Sequence, residues 1–439
     1  MYSLARLPRS QPLLKNVIKR SVSSSTAQPA SAGGVSVIGF ENKGPASTSS
    51  LTVAVKAGSR YESIPGVAHV LKNFAFKATS SASSLRTARE TELYGGVLSA
   101  SLTREHLFLS AEFLRGDEEH FLSVLASVLS SSQFYPHELN ELVLPVVESE
   151  AIQAQSTPAA LALDIAHTLA FRKGLGNSLY ASPNYPVTIE DVKSYAQTAF
   201  AKSNISVIGT GVSTESLSKA VSSAFGSGSS AAGSGLSGGA TKYFGGESRV
   251  PLDIHAPATA LPTVVVAFGS SSPATPDLKV LKELLGGESS LKWTPGTSPL
   301  SQAAAKIPGA SAKAFLLPYS DASLFGVVIT APTSPQAKTL ATEVVSIIKS
   351  AGKGSKDEEV KRAIAKATFS DAVGSETLEG LVSSVGPALF AGGTIKSESF
   401  SSVSASSISK AAAELLKAKP TVVSIGNVSV LPYADELGL

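Results

Sequence analysis

The chain has 439 residues, 43% of them hydrophobic and 16% charged, which is long enough for more than one core and too apolar for disorder. It contains no cysteine, which excludes disulfides, thiolate metal sites and a cysteine nucleophile. The net charge of +3 comes from the start: removing Arg6, Arg9, Lys15, Lys19 and Arg20 leaves 32 bases against 34 acids, a body with no basic face for nucleic acid.

Residues 1–30 carry those bases with many serines and no acid, and Leu4, Leu7, Leu13, Leu14, Val17 and Ile18 are interspersed among them. This is the composition of a mitochondrial transit peptide and flexible leader. Downstream, no run reaches the roughly 18 apolar residues of a spanning helix. Apolar spacing then predicts strands near 51–56, 97–113 and 205–212, with helices near 65–77, 117–131, 136–155, 157–171 and 188–201. Phe225–Gly246 (FGSGSSAAGSGLSGGATKYFGG) reads as a flexible Gly/Ser-rich linker. It lacks the lysine-serine ending of a phosphate-binding loop, which excludes nucleotide binding there. Beyond it, strands are predicted near 262–269, 312–318, 324–330 and 421–426, with a helix around Ile408–Lys417.

The two halves repeat one grammar. LTVAVKAGS at Leu51 and PTVVVAFGS at Pro262 each precede a helix. TIEDVKSYAQTAFAKSNISVIGTGVS is echoed near the end by SASSISKAAAELLKAKPTVVSIGNVS. So long an offset indicates a duplicated domain and not a solenoid. The fold class expected is α+β: two homologous domains, 31–224 and 247–439, each a sheet packed with helices and joined by 225–246.

The stretch GVAHVLKNFAFKATSS from Gly66 is nearly a zinc site. Two histidines at i and i+4 share a helix face and hold one zinc, while a glutamate between them serves as general base. The stretch resembles the His-x-x-Glu-His helix of the pitrilysin-type (inverzincin) metallopeptidases, and by that resemblance His69 stands first, Lys72 replaces the glutamate and Asn73 replaces the second histidine. Downstream, ELVLPVVESE resembles the second helix of that family, with Glu141 and Glu148 seven apart, and the resemblance puts Glu148 about where the third ligand would lie, in a register uncertain by a residue or two. A lysine ammonium repels a metal ion and accepts no proton, so the motif is read as degenerate, with no metal, no cofactor and no catalytic residue. His106, His120, His137, His167 and His255 show no ligand spacing.

Four further segments are similar to the non-catalytic core-protein branch of the pitrilysin-type family. They are LAFRKGLGNSLYASPNYPVTIEDVKSYAQTAFAKSNISVIGTGVS, GGATKYFGGESR, SDASLFGVVI and PYADEL, in that order. The resemblance implies a metallopeptidase-like fold without peptidase activity, in a structural subunit of mitochondrial complex III (ubiquinol–cytochrome c reductase). It further implies pairing with core protein 1 and other subunits in a dimeric complex, on the matrix side of the inner membrane. No haem or quinone would be carried, and the chain would be peripheral to the membrane through its partners. The alternative is the non-catalytic alpha subunit of the matrix processing peptidase, which binds presequences and also has a glycine-rich loop.

Overall fold

Gly33 and Gly34 both take positive φ (59° and 86°), and this two-glycine turn folds β1 (Ala30–Ala32) back onto β2 (Val35–Phe40). The pairing begins at Ala30, so the first sheet reaches the edge of the segment read as leader. The computed structural model describes residues 28–41, 47–226, 236–252, 257, 259–287, 294, 296–392 and 399–439. The leader to residue 27, the middle of the glycine-rich segment and His255 lie outside these residues.

The first sheet continues with β3 (Thr48–Val55), β4 (Val97–Leu102), β5 (Leu107–Leu114) and β6 (Ile205–Thr210), in the order β1-β2-β6-β3-β5-β4. The second contains β7 (Gly246–Pro251), β8 (Thr263–Ser270), β9 (Ser311–Pro318), β10 (Ser323–Thr330) and β11 (Thr421–Gly426), in the order β7-β11-β8-β10-β9. Strip the short β1 away and the two orders are the same. In each, the first strand pairs parallel with the last, and the other neighbours run antiparallel. The duplication read from the sequence is therefore a duplicated topology, and the fold is α+β with two sheet-and-helix domains.

The central strands β3 and β8 are buried almost end to end, and they read as apolar runs because helices cover both faces of each sheet. One face packs on helices of its own half: Phe121, Leu125 and Val192 lie against the first sheet, and Leu281, Leu340 and Ile408 against the second. The other face is covered from across the molecule. The helix Pro158–Phe171 places Ala162, Ala166 and Phe171 on Val265, Ala267 and Ile425 of the second sheet. Reciprocally, Leu378–Phe390 places Val382, Val385 and Leu389 on Ile38, Ala54 and Ile208 of the first. Gly386 allows that close approach, since a Cβ there would come 3.0 Å from the Phe108 ring.

The sequence predicts one helix over 136–155, but the structure interrupts it. Pro136–Glu138 leads into a wider π turn over Leu139–Val143, and only then into the helix Leu144–Ser156. Pro145 has no N–H to donate back into the turn before it, and the local widening accommodates that loss. No helix among the described residues is long and apolar enough to cross a membrane.

Candidate functional site

The helix Val67–Asn73 starts at Gly66, which has a φ of 89° and no room for a side chain: a Cβ would lie 2.6 Å from Ala181. Glu62 caps this start. Its Oε2 accepts from the N–H groups of Gly66 (3.1 Å) and Ala68 (3.4 Å), while Oε1 is buried without a hydrogen-bond partner among the described residues. Burial pushes the carboxyl up to about 7, against the pull of the two N–H donors and of Arg104. A raised carboxyl favours folding in its protonated form; that contribution is whole below pH 4.5 and is lost as the pH rises through about 7. Glu62→Gln keeps an acceptor for the helix start and is expected to flatten the unfolding midpoint between pH 4.5 and 7. If the variant retains the parent's slope across that window, Glu62 is not the group responsible.

Helical spacing sets His69, Lys72 and Asn73 on one face, and all three converge on a single carboxylate. That carboxylate belongs to Glu150. His69 Nε2 lies 2.6 Å from its Oε2, Lys72 Nζ lies 2.7 Å from each of its oxygens, and Asn73 Nδ2 donates to Oε2 at 3.1 Å. Burial works against the Glu150 charge, but donors from Lys72, Asn73 and His69 outweigh it and hold the carboxyl down at about 2. The side chain remains partly open to solvent, at 34% exposure. The other nitrogen of His69, Nδ1, faces the N–H of Ala181 at 3.1 Å. Nδ1 must therefore accept, which leaves the ring proton on Nε2, donated to Glu150. Burial, then the ammonium of Lys72, lower the His69 pKa and favour that neutral ring.

The register expected for the acidic residue is corrected. Val143, Val147 and Ala151 mark the buried face of this helix. At about 100° per residue, Glu150 stands beside that face, whereas Glu148 and Glu141 point away and are exposed. A zinc ion would require lone pairs from two rings and a carboxylate. Here one ring presents N–H, the second is an amide nitrogen, and an ammonium occupies both carboxylate oxygens. The residues present do not fit zinc, and among the described residues no group of three His, Asp or Glu is placed to hold a metal. His106 stacks on Phe390, His120 on Tyr94 and His137 on Tyr135. His167 lies between Leu163 O and the Tyr319 hydroxyl.

Sequence reasoning missed a second cluster, which joins the halves. The Arg60 guanidinium, with its side chain 5% exposed, donates to both oxygens of Asp321 at 2.7 Å, to Glu105 at 2.8 Å and to Gly239 O at 3.2 Å. Glu105 accepts in turn from the N–H and hydroxyl of Ser320 (3.0 and 2.6 Å). Asp321 accepts from the N–H and hydroxyl of Thr241, both at 3.0 Å. Residues 239–241, within the segment read as a flexible linker, are thus fastened to both halves. Nearby, Arg104 donates to Asp164 (2.6 Å) and to the carbonyls of Leu175 and Asn177. Around Tyr433, Arg249 lies 3.6 Å from the ring centre, and the Ala434 N–H donates to Glu247 at 3.2 Å. The segments GGATKYFGGESR, SDASLFGVVI and PYADEL are thus joined in space, and the Phe244 N–H ties the segment that begins LAFRKGLG to them by donating to Ala170 O at 2.8 Å.

Two family models match the chain: "Insulinase (Peptidase family M16)" over residues 37–182 and "Peptidase M16 inactive domain" over 186–367. A cytochrome b-c1 complex subunit 2 of Cryptococcus neoformans var. grubii is 73% identical, with each chain covered completely. The chain belongs to the cytochrome b-c1 complex subunit 2 family. The Yarrowia lipolytica subunit 2 is 37% identical, covering 97% of this chain and all of its own, and the Mus musculus subunit 2 is 30% identical over 92% and 90%. Membership in the subunit 2 family agrees with a peptidase-like frame in which Lys72 pairs with Glu150.

Proposed function

We infer that this chain is a structural subunit of mitochondrial complex III, contributing to the assembly and stability of the ubiquinol–cytochrome c reductase without peptidase activity of its own. The observation that carries this is the full-length 73% identity to a cytochrome b-c1 complex subunit 2. The Lys72–Glu150 pair explains why the frame cuts nothing: it supplies neither a metal site nor a base. The relatives named above are all subunit 2 of cytochrome b-c1 and give the processing-peptidase alternative no support.

The finer reading places the chain on the matrix side of the inner membrane, paired with core protein 1 in a dimeric complex. The acid-free basic leader over 1–30 supports a mitochondrial address. Two homologous domains over 31–224 and 247–439, joined by 225–246, would present a large surface, and burial of such surfaces favours the associated state by mass action. Native electrophoresis of detergent-solubilised mitochondria, with an immunoblot for this chain and a haem stain, tests the reading. Co-migration with haem is expected. Migration as a small haem-free heterodimer would overturn it.

A further inference from the structure

Three segments meet at the seam between the halves, where the helix Pro158–Phe171 ends. The Phe244 N–H donates to Ala170 O at 2.8 Å, and the Tyr243 hydroxyl donates to Lys419 O at 2.6 Å. Gly245, with a φ of 68°, has no room for a side chain, because a Cβ would lie 2.6 Å from that same Lys419 carbonyl. Residues 170–173, 242–246 and 419–420 therefore share one surface. Tyr243 packs over Gly269, while Lys242 and Phe244 on either side of it are exposed.

Arg172 stands at the centre of this surface with a strained backbone. Its φ and ψ are 61° and −62°, and the Lys173 N–H reaches back to Phe171 O at 2.7 Å, a three-residue turn that residues with a side chain rarely adopt. The guanidinium lies over the Phe244 ring, 4.0 Å from its centre. Such strain is retained mainly where the residue it aims is used. Arg172, Lys173, Lys242 and Lys419 are all exposed, and none of them donates to a carboxylate among the described residues. By contrast, the exposed bases Arg86, Lys219 and Lys306 each pair with an acid of this chain. On these segments the nearest acids are Glu247, which accepts from the Ala434 N–H, and Glu414, which Lys417 offsets. We propose that this surface docks an acidic segment of another subunit, with the Arg172–Phe244 pair as anchor and Lys173, Lys242 and Lys419 selecting the partner's charge. Arginine and aromatic side chains are the usual anchors of protein interfaces, and a guanidinium already turned onto a ring loses little freedom on binding. Unpaired cations around it favour carboxylates and repel basic partners. The proposal rests on the reading of the chain as one subunit of a larger complex.

A carbodiimide joins a lysine amine to a carboxylate only where the two already touch. The native assembly is treated with one, and linked peptides are identified by mass spectrometry. The Lys338–Glu436 pair, 2.7 Å apart, is the internal control. Lys173, Lys242 or Lys419 is expected to be linked to an Asp or Glu within one segment of a different subunit. Lys242→Arg keeps the charge without a lysine amine, so its own link should vanish while the chain stays in the assembly. Lys242→Glu with Lys419→Glu should lower the remaining Lys173 link roughly tenfold. With the control pair linked, absence of any link from these three lysines to another subunit overturns the proposal; that is the result if they rest in water or on anionic lipid. Links to acids of this chain alone overturn it as well. A haem stain on the untreated assembly reports membership separately, so loss of haem co-migration counts against the functional reading while the amide links alone decide the docking.

Discussion

Arg60→Met is expected to cost about 3–5 kcal/mol of folding stability, the range seen when one partner is removed from a buried ion pair. The guanidinium bridges Glu105 and Asp321 at 2.8 and 2.7 Å, with Arg60 and Glu105 side chains only 5% and 7% exposed. Burial opposes the charge on Arg60, and Asp321 with Glu105 more than offsets it. Methionine keeps most of the length and the apolar contacts, so the loss reports the charge. Glu105 would remain buried with Ser320 as a donor but without a cation. Because the same guanidinium also holds Gly239 O, the glycine-rich segment should loosen with it, and the halves should lose part of their coupling. Arg60→Lys is expected to fall between the two, since an ammonium lacks the planar fork that reaches both oxygens of Asp321. Denaturant titration measures the effect; a loss under about 1 kcal/mol would place the bridge among surface pairs that contribute little.

Lys72→Glu is expected to destabilise the chain by about 2 kcal/mol at neutral pH, a value reduced for the partial exposure of Glu150. It replaces an ammonium at 2.7 Å from Glu150 with a second carboxylate. Glu150, now held at about 2, would move up, and the new pair would take a proton on acidification. The penalty should therefore shrink between pH 7 and 5, and adding Glu150→Lys should restore the parent's midpoint. Equal destabilisation at both pH values would indicate a packing effect instead. Adding Asn73→His to Lys72→Glu completes a zinc-peptidase motif on paper, yet no zinc-dependent cleavage of a presequence peptide is expected. A zinc-bound Nε2 requires the proton on Nδ1, and that nitrogen faces another donor, the N–H of Ala181. Metal-dependent cleavage by the purified double variant would show the ring free to reorient.

What was legible in the sequence is what local pattern encodes. Continuous apolar runs gave β3 and β8, and the echo of SVIGTGVS in VSIGNVS gave β6 and β11 as counterparts. The departures at Lys72 and Asn73 were visible because the motif is confined to one helix. Its acidic partner was misplaced by two residues because the inward face of the second helix is fixed by Val147 and Ala151 after a π turn, not by a seven-residue spacing. The Arg60 bridge left no such trace. Its partner Asp321 lies 261 residues away, and isolated Arg, Glu and Asp residues beside loops carry no period. The crossing of Pro158–Phe171 and Leu378–Phe390 was equally hidden, since an apolar helix face does not say which sheet it will meet.

That exchange of helices constrains the order in which the chain can mature. A chain made, or threaded through a narrow passage, from its N-terminus presents Ile38, Ala54 and Ile208 long before Val382, Val385 and Leu389 emerge to cover them. Until then one side of the first sheet is an open apolar plane, a form prone to stick to its neighbours. The nascent protein is therefore expected to need a holding chaperone until Leu378–Phe390 has emerged, and a chain truncated before residue 378 is expected to co-purify with one.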